Sequence, residues 1–565
     1  MRLVFAFVFL FATSLFFGQK KYPTKDFRNP LDIKTILAGT FGELRTNHFH
    51  AGLDIKTQRK EGLKVYAVAN GYVSRIKVAL WGYGKVIYIT HPNGYTSVYA
   101  HLSKFGDGIE EYVKSIQYKK KSYETGNIFP KKGEIPVKKG QVIAYTGSTG
   151  GFVAPHLHYE IRDTKTEKII NPLLFGLKVK DTIAPKLKGL FVYPLSDSTR
   201  INKSVKKSLL SFKSIGNNTY ITNRINAKGP IGLGVQVYDQ LNGAYNKNGI
   251  YSLEMKVNGH QVYHHVLETF SFAESKYINL LIDYDNYARF KNKFQKTFKE
   301  KSNKLKIYKS LLNNGIVNIK KGFNYKVEII ASDFAGNKTT VKIPVKGVES
   351  NAVFRQKKDT TAYKIIADKF HKFEQNGVSI AFPKNTFYTD VYLDFNVENN
   401  IAEIHNPRIP LDKSYTLTFD VSKYTEDEKS QLYIANINNK KYPSYQNTRK
   451  KGDKFFTTTK TLGNYTLLAD KQKPTIKLIN FRSGQWITNQ NKIIVKIEDK
   501  ISGIKSYTAT LDGEWILMEY NLKKKQIVYH FKDKKLVGAK HQLEIVVEDN
   551  VGNTNTLNAT FYKKE

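Results

Sequence analysis

Two stretches of this 565-residue chain carry the same landmarks in the same order, and that internal repeat constrains the architecture more than any single motif. Asp181-Thr182-Ile183-Ala184-Pro185 returns as Asp470-Lys471-Gln472-Lys473-Pro474, each ahead of a run of strand-like segments. Asp239 with Gly249-Ile250 corresponds to Asp499 with Gly503-Ile504. Tyr325 to Asn337 returns as His541 to Asn553, and in both the apolar residues alternate up to an Asp-x-x-Gly-Asn turn. Alternation of that kind is the signature of a half-buried strand entering a tight hairpin. Two copies of one β-sandwich unit are expected, over 181–348 and 470–565.

These copies resemble bacterial immunoglobulin-like modules, in which the Asp-x-x-Gly-Asn segment is a turn signal rather than a site. The first copy is lengthened over 287–312, where Phe290, Phe294 and Phe298 recur at four-residue spacing. That spacing predicts an inserted helix with the rings stacked on one face. Between the copies, 349–469 reads as a further β-rich module with strands such as Val378–Phe382 and no visible chemistry. His264 and His265 would point to opposite faces of a strand, so the patch from His260 to His265 reads as structural.

Ahead of the repeat, 19–180 forms a mostly β domain with its core over 26–175. Lys85–Thr90 and Tyr95–His101 flank His91-Pro92-Asn93-Gly94, a hairpin with a turn-forming Asn-Gly. The Lys- and Glu-containing segment 104–135 interrupts the strand rhythm and reads as a solvated loop. Residues 1–18 have the charged, apolar and small-residue regions of a cleaved secretory signal, which implies export to the periplasm or cell envelope. No later stretch is apolar enough to span a membrane after that cleavage.

Composition narrows the chemistry. Hydrophobic residues make up 41% of the chain and aromatics 13%, enough to build real cores. There is no cysteine, so disulfides, thiolate metal ligands and thiol nucleophiles are excluded. The 90 Lys and Arg against 49 Asp and Glu give a net charge of +41, which favours anionic surfaces such as cell-wall polymers. The lysines are spread along the chain with no recognised nucleic-acid motif, so nucleic acid is not the expected partner.

In Pro155-His156-Leu157-His158-Tyr159-Glu160, strand alternation puts His156 and His158 on one face. His50 and Asp54, four apart, share a face of an extended segment, with Gly52 between them allowing close backbone approach. Tyr99-Ala100-His101-Leu102 adds a fifth candidate group. Two imidazoles and a carboxylate can bind zinc and keep a fourth position for water, which leaves two histidines to move protons.

On these residues the segment from about Asp26 to Phe175 resembles the lysostaphin-type zinc endopeptidases, which cut peptide cross-links in peptidoglycan. His50-Ala51-Gly52-Leu53-Asp54 matches the family's HxGxD motif, Tyr99–Leu102 its YAHL motif and Pro155–Glu160 its PHLHFE motif. The resemblance implies one zinc ion per chain held by His50, Asp54 and His158, with His101 and His156 as catalytic histidines. His156 would take a proton from water, and His101 would orient water or stabilise the oxyanion; the two roles are exchangeable. His48 lies outside the matched motif. The chain departs from the family at Gly150-Gly151-Phe152-Val153-Ala154, where Gly-x-Ser-Thr-Gly is usual, a change that bears on specificity.

The function implied is an exported zinc metalloendopeptidase acting on peptidoglycan stem peptides or cross-links, with the C-terminal modules placing it at the wall or against envelope proteins. Two other readings stay open: a non-catalytic wall-binding scaffold or activator of another hydrolase, and an exported protease of proteins.

Overall fold

A computed structural model describes residues 22–151, 154–349 and 360–564. The segment 1–18, expected to be a secretory signal, and the pair Phe152-Val153 lie outside the described residues. The N-terminal domain is built from β1 (Leu37–Gly39), β2 (Leu53–Lys56), β3 (Gly71–Val78), β4 (Lys85–Thr90), β5 (Tyr95–Phe105), α1 (Ile109–Lys120) and β6 (His156–Asp163). Hydrogen bonds order the strands β1-β2-β6-β5-β4-β3, every neighbouring pair antiparallel. β4 and β5 form the hairpin expected from Asn93-Gly94, and Gly94 supplies the positive φ of 85° that the turn needs.

β6 lies in the middle of this sheet, and its register sets His158 opposite Asp54 on β2 and opposite Ala100 on β5. Leu157 and Tyr159 point the other way into the core and are fully buried. Alternation along one strand thus separates a packing face from a chemical face.

The segment expected as a solvated loop contains α1 instead. Ile109, Val113 and Gln117 recur every four residues and are buried against the sheet, and the Gln117 amide donates to the Tyr123 carbonyl at 2.6 Å. Lysines and glutamates on the outer face gave the segment its polar composition and hid the one-sided helix.

The next module, roughly 186–347, is a β-sandwich. Its long strand β7 (Ile225–Tyr238) pairs antiparallel with Lys186–Pro194 along its second half, and its first three residues pair in parallel with Val345–Gly347. The second layer contains Ser252–Val257, β8 (Asn324–Ser332) and Lys338–Gly347. Two five-stranded sheets around a separate core follow over 363–469, and a four- and a five-stranded sheet over 475–562. The turns that close the repeated hairpins are alike: Asn337 N–H donates to Asp333 Oδ1 at 2.9 Å, and Asn553 N–H to Asp549 Oδ1 at 2.9 Å.

The helix expected over 287–312 is a correction. Helical turns form earlier, at Phe272–Ser275, Ile278–Leu281 and Tyr284–Phe290, and Lys291 ends the last with φ of 60°. Over the rest of 287–312 only Gln295–Lys296 and Tyr308–Leu311 are strand, with a bend and a turn between them. Phe290 is exposed, while Phe294 packs on Phe191 with ring centroids 4.4 Å apart and Phe298 on Tyr193 at 5.6 Å. A spacing of four is also twice the strand period, so it does not separate helix from strand. Gly189 and Gly232 make room for the rings: a Cβ there would come within 2.8 Å of Phe294 and 2.4 Å of Phe298 respectively. His265 is buried on Tyr263 OH at 2.9 Å.

The N-terminal domain does not stand alone. Ile169–Ile170 pairs with Thr269–Phe270 of the sandwich module, so one sheet runs across the junction. Phe270 stacks on Phe41 and Phe49 at 4.9 and 5.3 Å, and Ser275 Oγ accepts from Phe49 N–H at 2.7 Å. These contacts support the chain one residue ahead of His50. On the opposite side the C-terminal module contributes Glu519, which pairs with the buried Lys85 at 3.0 Å, and Trp515, which meets Tyr118 of α1 edge to face.

Phe270→Ala is expected to cost about 3–5 kcal/mol because it empties a fully buried ring site at the junction. Glu519→Gln, which leaves the Lys85 ammonium without its counter-charge, is expected to cost about 2 kcal/mol. Denaturant unfolding of the full chain checks both, and an unchanged midpoint for either variant would contradict the packing described.

Candidate metal centre

β2 and β6 lie side by side, so the step from sequence to site is short. Asp54 projects from β2, His156 and His158 from the same face of β6, and His50 from the turn leading into β2. His50 Nε2 lies 3.0 Å from Asp54 Oδ1, His158 Nδ1 lies 2.9 Å from the same oxygen, and the two nitrogens are 3.1 Å apart. All three side chains are buried. Gly52 earns its place here: a Cβ would sit 2.3 Å from the Tyr159 carbonyl oxygen and push β2 away from β6.

Each imidazole is turned by a partner on its far side. His50 Nδ1–H donates to the Thr40 carbonyl at 2.8 Å, which leaves Nε2 facing the cluster. His158 Nε2–H donates to Glu160 Oε1 at 2.8 Å, which leaves Nδ1 facing it. Glu160 is itself held by Arg162 at 2.6 Å and accepts a hydrogen bond from Tyr83 OH. Such outer partners fix tautomer and ring orientation in metal sites.

The electrostatics follow from burial and pairing. Burial pushes His50 down to about 4, against the pull of Asp54. Burial also opposes charge on His158, yet its hydrogen bonds to Asp54 and Glu160 raise it to about 9. Burial works against the Asp54 charge too, but His50 and His158 hold its carboxyl well below the usual range. Glu160, despite full burial, is kept at about 2 by Arg162, His158 and Tyr83.

The remaining two histidines flank this triangle. His156 Nε2 is 3.6 Å from Asp54 Oδ1, and its Nδ1–H donates to the Ala154 carbonyl at 2.9 Å. His101 comes from β5 with φ of 60°, its Nδ1–H donating to the Thr149 carbonyl at 2.8 Å. The His101 and His156 ring centroids are 4.7 Å apart. Burial and the neighbouring His158 and His156 lower His101 to about 3. Above the cluster opens a cleft of about 750 Å³, lined by His101, His156, the cations Arg45, Lys56 and Arg59 and the carboxylates of Glu43 and Asp54. Arg45 donates to Asp54 Oδ2, so Oδ1 alone faces the two nitrogens.

The structure thus brings all five sequence-selected residues, His50, Asp54, His101, His156 and His158, into one place. His48 is exposed and turns to the Thr46 carbonyl, outside the cluster. Sequence reasoning missed Tyr83, Glu160, Arg162 and Arg45. For two of them a signal was present, because Glu160 and Arg162 continue the alternation of His156 and His158 along one strand face. Tyr83 arrives from a turn and Arg45 from the short strand Leu44–Arg45, paired with His48–Phe49, and neither had one.

A triangle of two imidazole nitrogens and one carboxylate oxygen with sides of 2.9–3.1 Å is close to the edge of about 3.3 Å expected for a tetrahedral zinc site. The donor set and its outer partners therefore fit a zinc ion. An antiparallel sheet with a buried His-Asp-His cluster at the floor of a cationic cleft defines the class of domain. Residues 48–118 match the model of peptidase family M23, and residues 362–470 match that of a Zu5-like domain. The chain is 33% identical over 114 residues to lipoprotein NlpD of Yersinia enterocolitica, covering 20% of this chain and 90% of that protein. It is 35% identical over 119 residues to DD-carboxypeptidase/endopeptidase Mpg of Neisseria meningitidis serogroup B, covering 21% of each. The chain belongs to peptidase family M23. It spans about a fifth of the length of the Neisseria relative it matches. Among solved structures, the catalytic domain of lysostaphin from Staphylococcus simulans is 24% identical, covering 24% of this chain and 87% of that one, with a TM-score of 0.18, too low to argue from.

Glu160→Gln keeps the shape but removes the charge that orients His158, and is expected to weaken zinc retention about 10–100-fold. Zinc affinity measured against a competing chelator checks this; an unchanged affinity would show that Glu160 does not position His158.

Proposed function

We propose that the chain is an exported zinc metalloendopeptidase that hydrolyses amide bonds in peptidoglycan stem peptides or cross-links. The observation that carries the reading is the triangle of His50 Nε2, Asp54 Oδ1 and His158 Nδ1 with two further imidazoles at its open side. Membership of a peptidase family supports hydrolysis, and similarity to a Vibrio cholerae protein named peptidoglycan DD-endopeptidase ShyC, 26% identical over 173 residues, supports the substrate class. The signal-like pattern of residues 1–18 supports export, and the net charge of +41 supports attraction to an anionic wall. Among the described residues no helix is long and apolar enough to cross a membrane.

His50, Asp54 and His158 would hold the zinc ion, one per chain. Bound there, it supplies Lewis acidity and lowers the pKa of water towards about 7. The protein's own groups divide the rest. His156 and His101 both spend Nδ1–H on a backbone carbonyl, so in their neutral forms both present a bare Nε2 lone pair. His156, closer to the triangle, accepts the proton from the attacking water at Nε2 and returns it to the leaving amine. His101, held neutral by burial, accepts a hydrogen bond at Nε2 and orients that water; it has no Nε2 proton with which to stabilise an oxyanion. With Arg45 paired to Asp54 and Glu43, Lys56 and Arg59 are the cations left on the cleft lining, and they suit carboxylate-bearing peptides.

The test is digestion of purified peptidoglycan by the full chain, with product peptides identified by mass spectrometry. His156→Ala is expected to retain stoichiometric zinc while losing about 10²–10⁴-fold in turnover. Asp54→Ala is expected to lose zinc and activity together. Equal products from wild type and His156→Ala, or none from wild type loaded with zinc, would overturn the proposal; zinc retained by Asp54→Ala and lost by His156→Ala would reverse the division between ligand and base.

A further inference from the structure

The repeated modules each bring three aspartates together: Asp181, Asp239 and Asp333 in the first, Asp470, Asp499 and Asp549 in the second. In each set the carboxylate oxygens lie within 4.8 Å of one another. The second set is explained by turn geometry. Asp499 Oδ1 accepts from Ile501 N–H at 3.0 Å and Gly503 N–H at 2.6 Å, Asp549 Oδ1 accepts from Val551, Gly552 and Asn553 N–H, and Asp470 accepts from Gln472 and Ser502 N–H. Backbone donors neutralise it, as in any Asx turn.

The first set breaks this pattern at one point. Gly503 stands four residues after Asp499, whereas its counterpart Gly249 stands ten after Asp239. The longer loop carries away the counterpart of the Gly503 N–H; Gln240 N–H still bonds the Asp239 carboxylate, but Asp239 Oδ1 is left buried with no hydrogen-bond partner. Asp239 is only 2% exposed. Asn248 exchanges backbone hydrogen bonds with Asp239 in both directions, at 3.0 and 2.8 Å, so the two side chains lie on the same face. Both polar atoms of the Asn248 side chain, Oδ1 and Nδ2, are also buried and unpartnered, so the amide is free to turn its oxygen towards a cation. In a chain with 90 Lys and Arg, among the described residues none forms an ion pair with Asp181, Asp239 or Asp333.

We propose that Asp181, Asp239 and Asp333 hold a calcium ion, which joins the segment leading into the first sandwich module to the ends of β7 and β8. The ligand set is all oxygen, with no imidazole among the three aspartates, which selects a hard cation rather than zinc. Calcium, with six to eight flexible ligands, suits a site that draws on carboxylates from three separate segments and a neighbouring amide oxygen; magnesium demands a stricter octahedron. Crowding of the carboxylates supports the need for a counter-charge: burial and the neighbouring Asp181 and Asp333 raise Asp239 to about 8, and burial raises Asp181 to about 6.

The location gives the ion a task. The Asp239–Asn248 rung closes the loop 240–247, whose Asn246 lines the cleft above the candidate zinc centre. Gly249, just past the rung, donates from N–H to Thr40 Oγ1 at 3.1 Å, and Thr40 is the residue whose carbonyl orients His50. Calcium at this rung fixes the loop against the wall of the cleft. The cation assignment does not depend on the peptidase reading.

Calorimetric titration of the zinc-supplemented full chain with calcium chloride, after passage over chelating resin, tests it. Wild type is expected to bind one calcium ion saturably with a dissociation constant of about 10⁻⁵–10⁻³ M, and its melting temperature is expected to rise with calcium. Asp239→Asn is expected to weaken binding at least about tenfold, and Asp499→Asn to leave it unchanged. Absence of saturable binding by wild type, equal affinity in Asp239→Asn, loss in Asp499→Asn, or displacement by equimolar magnesium would each overturn the assignment. Asp333→Asn serves as a second variant should Asp239→Asn not fold. Zinc content read in the same samples separates this result from the fate of the zinc site.

Discussion

The pairing of β2 with β6, which sets Asp54 across from His158, is the constraint on which the rest depends. A slip of one residue would turn His156 and His158 into the core and Leu157 and Tyr159 into the cleft, because side chains alternate along a strand. The register is held from both sides: Leu53 and Ile55 of β2 and Leu157 and Tyr159 of β6 fill one apolar core, and Gly52 lets the strands approach. Packing on one face thereby places chemistry on the other.

That chemistry is costly to bury. Two imidazoles, an aspartate, a glutamate and an arginine are nearly sealed from water around the cluster, and each unpaired charge there would cost several kcal/mol. The structure meets the cost by a continuous chain of partners, from Thr40 through His50, Asp54 and His158 to Glu160 and Arg162. Arg162 ends that chain over the Phe272 ring of the sandwich module. The flanking modules are therefore part of how the site is held: Phe270 and Ser275 support the His50 segment, and Glu519 neutralises the buried Lys85 beneath β4 and β5.

Much of this was legible in the sequence because it depends on local periodicity. The shared face of His156 and His158, the Asn93-Gly94 hairpin and the repeated Asp-x-x-Gly-Asn turns all follow from alternation and turn chemistry. What failed, or was silent, depended on tertiary context. Phe290, Phe294 and Phe298 fit helix and strand periods alike, and only the space left by Gly189 and Gly232 decides between them. Ile109, Val113 and Gln117 were masked by the lysines around them. Tyr83 reaches the centre from a turn and Arg45 from a two-residue strand, neither marked by a local pattern, and the unpartnered Oδ1 of Asp239 becomes visible only when the two copies are laid side by side in three dimensions.

The central claim is that His50, Asp54 and His158 together form a zinc site whose open side faces His101 and His156. Anomalous diffraction recorded on both sides of the zinc absorption edge, from crystals of the full chain grown with zinc, addresses it directly. A peak bounded by His50 Nε2, Asp54 Oδ1 and His158 Nδ1 is expected. A zinc peak coordinated by His101 and His156 instead, or no peak at the triangle in crystals shown to contain the metal, would contradict it.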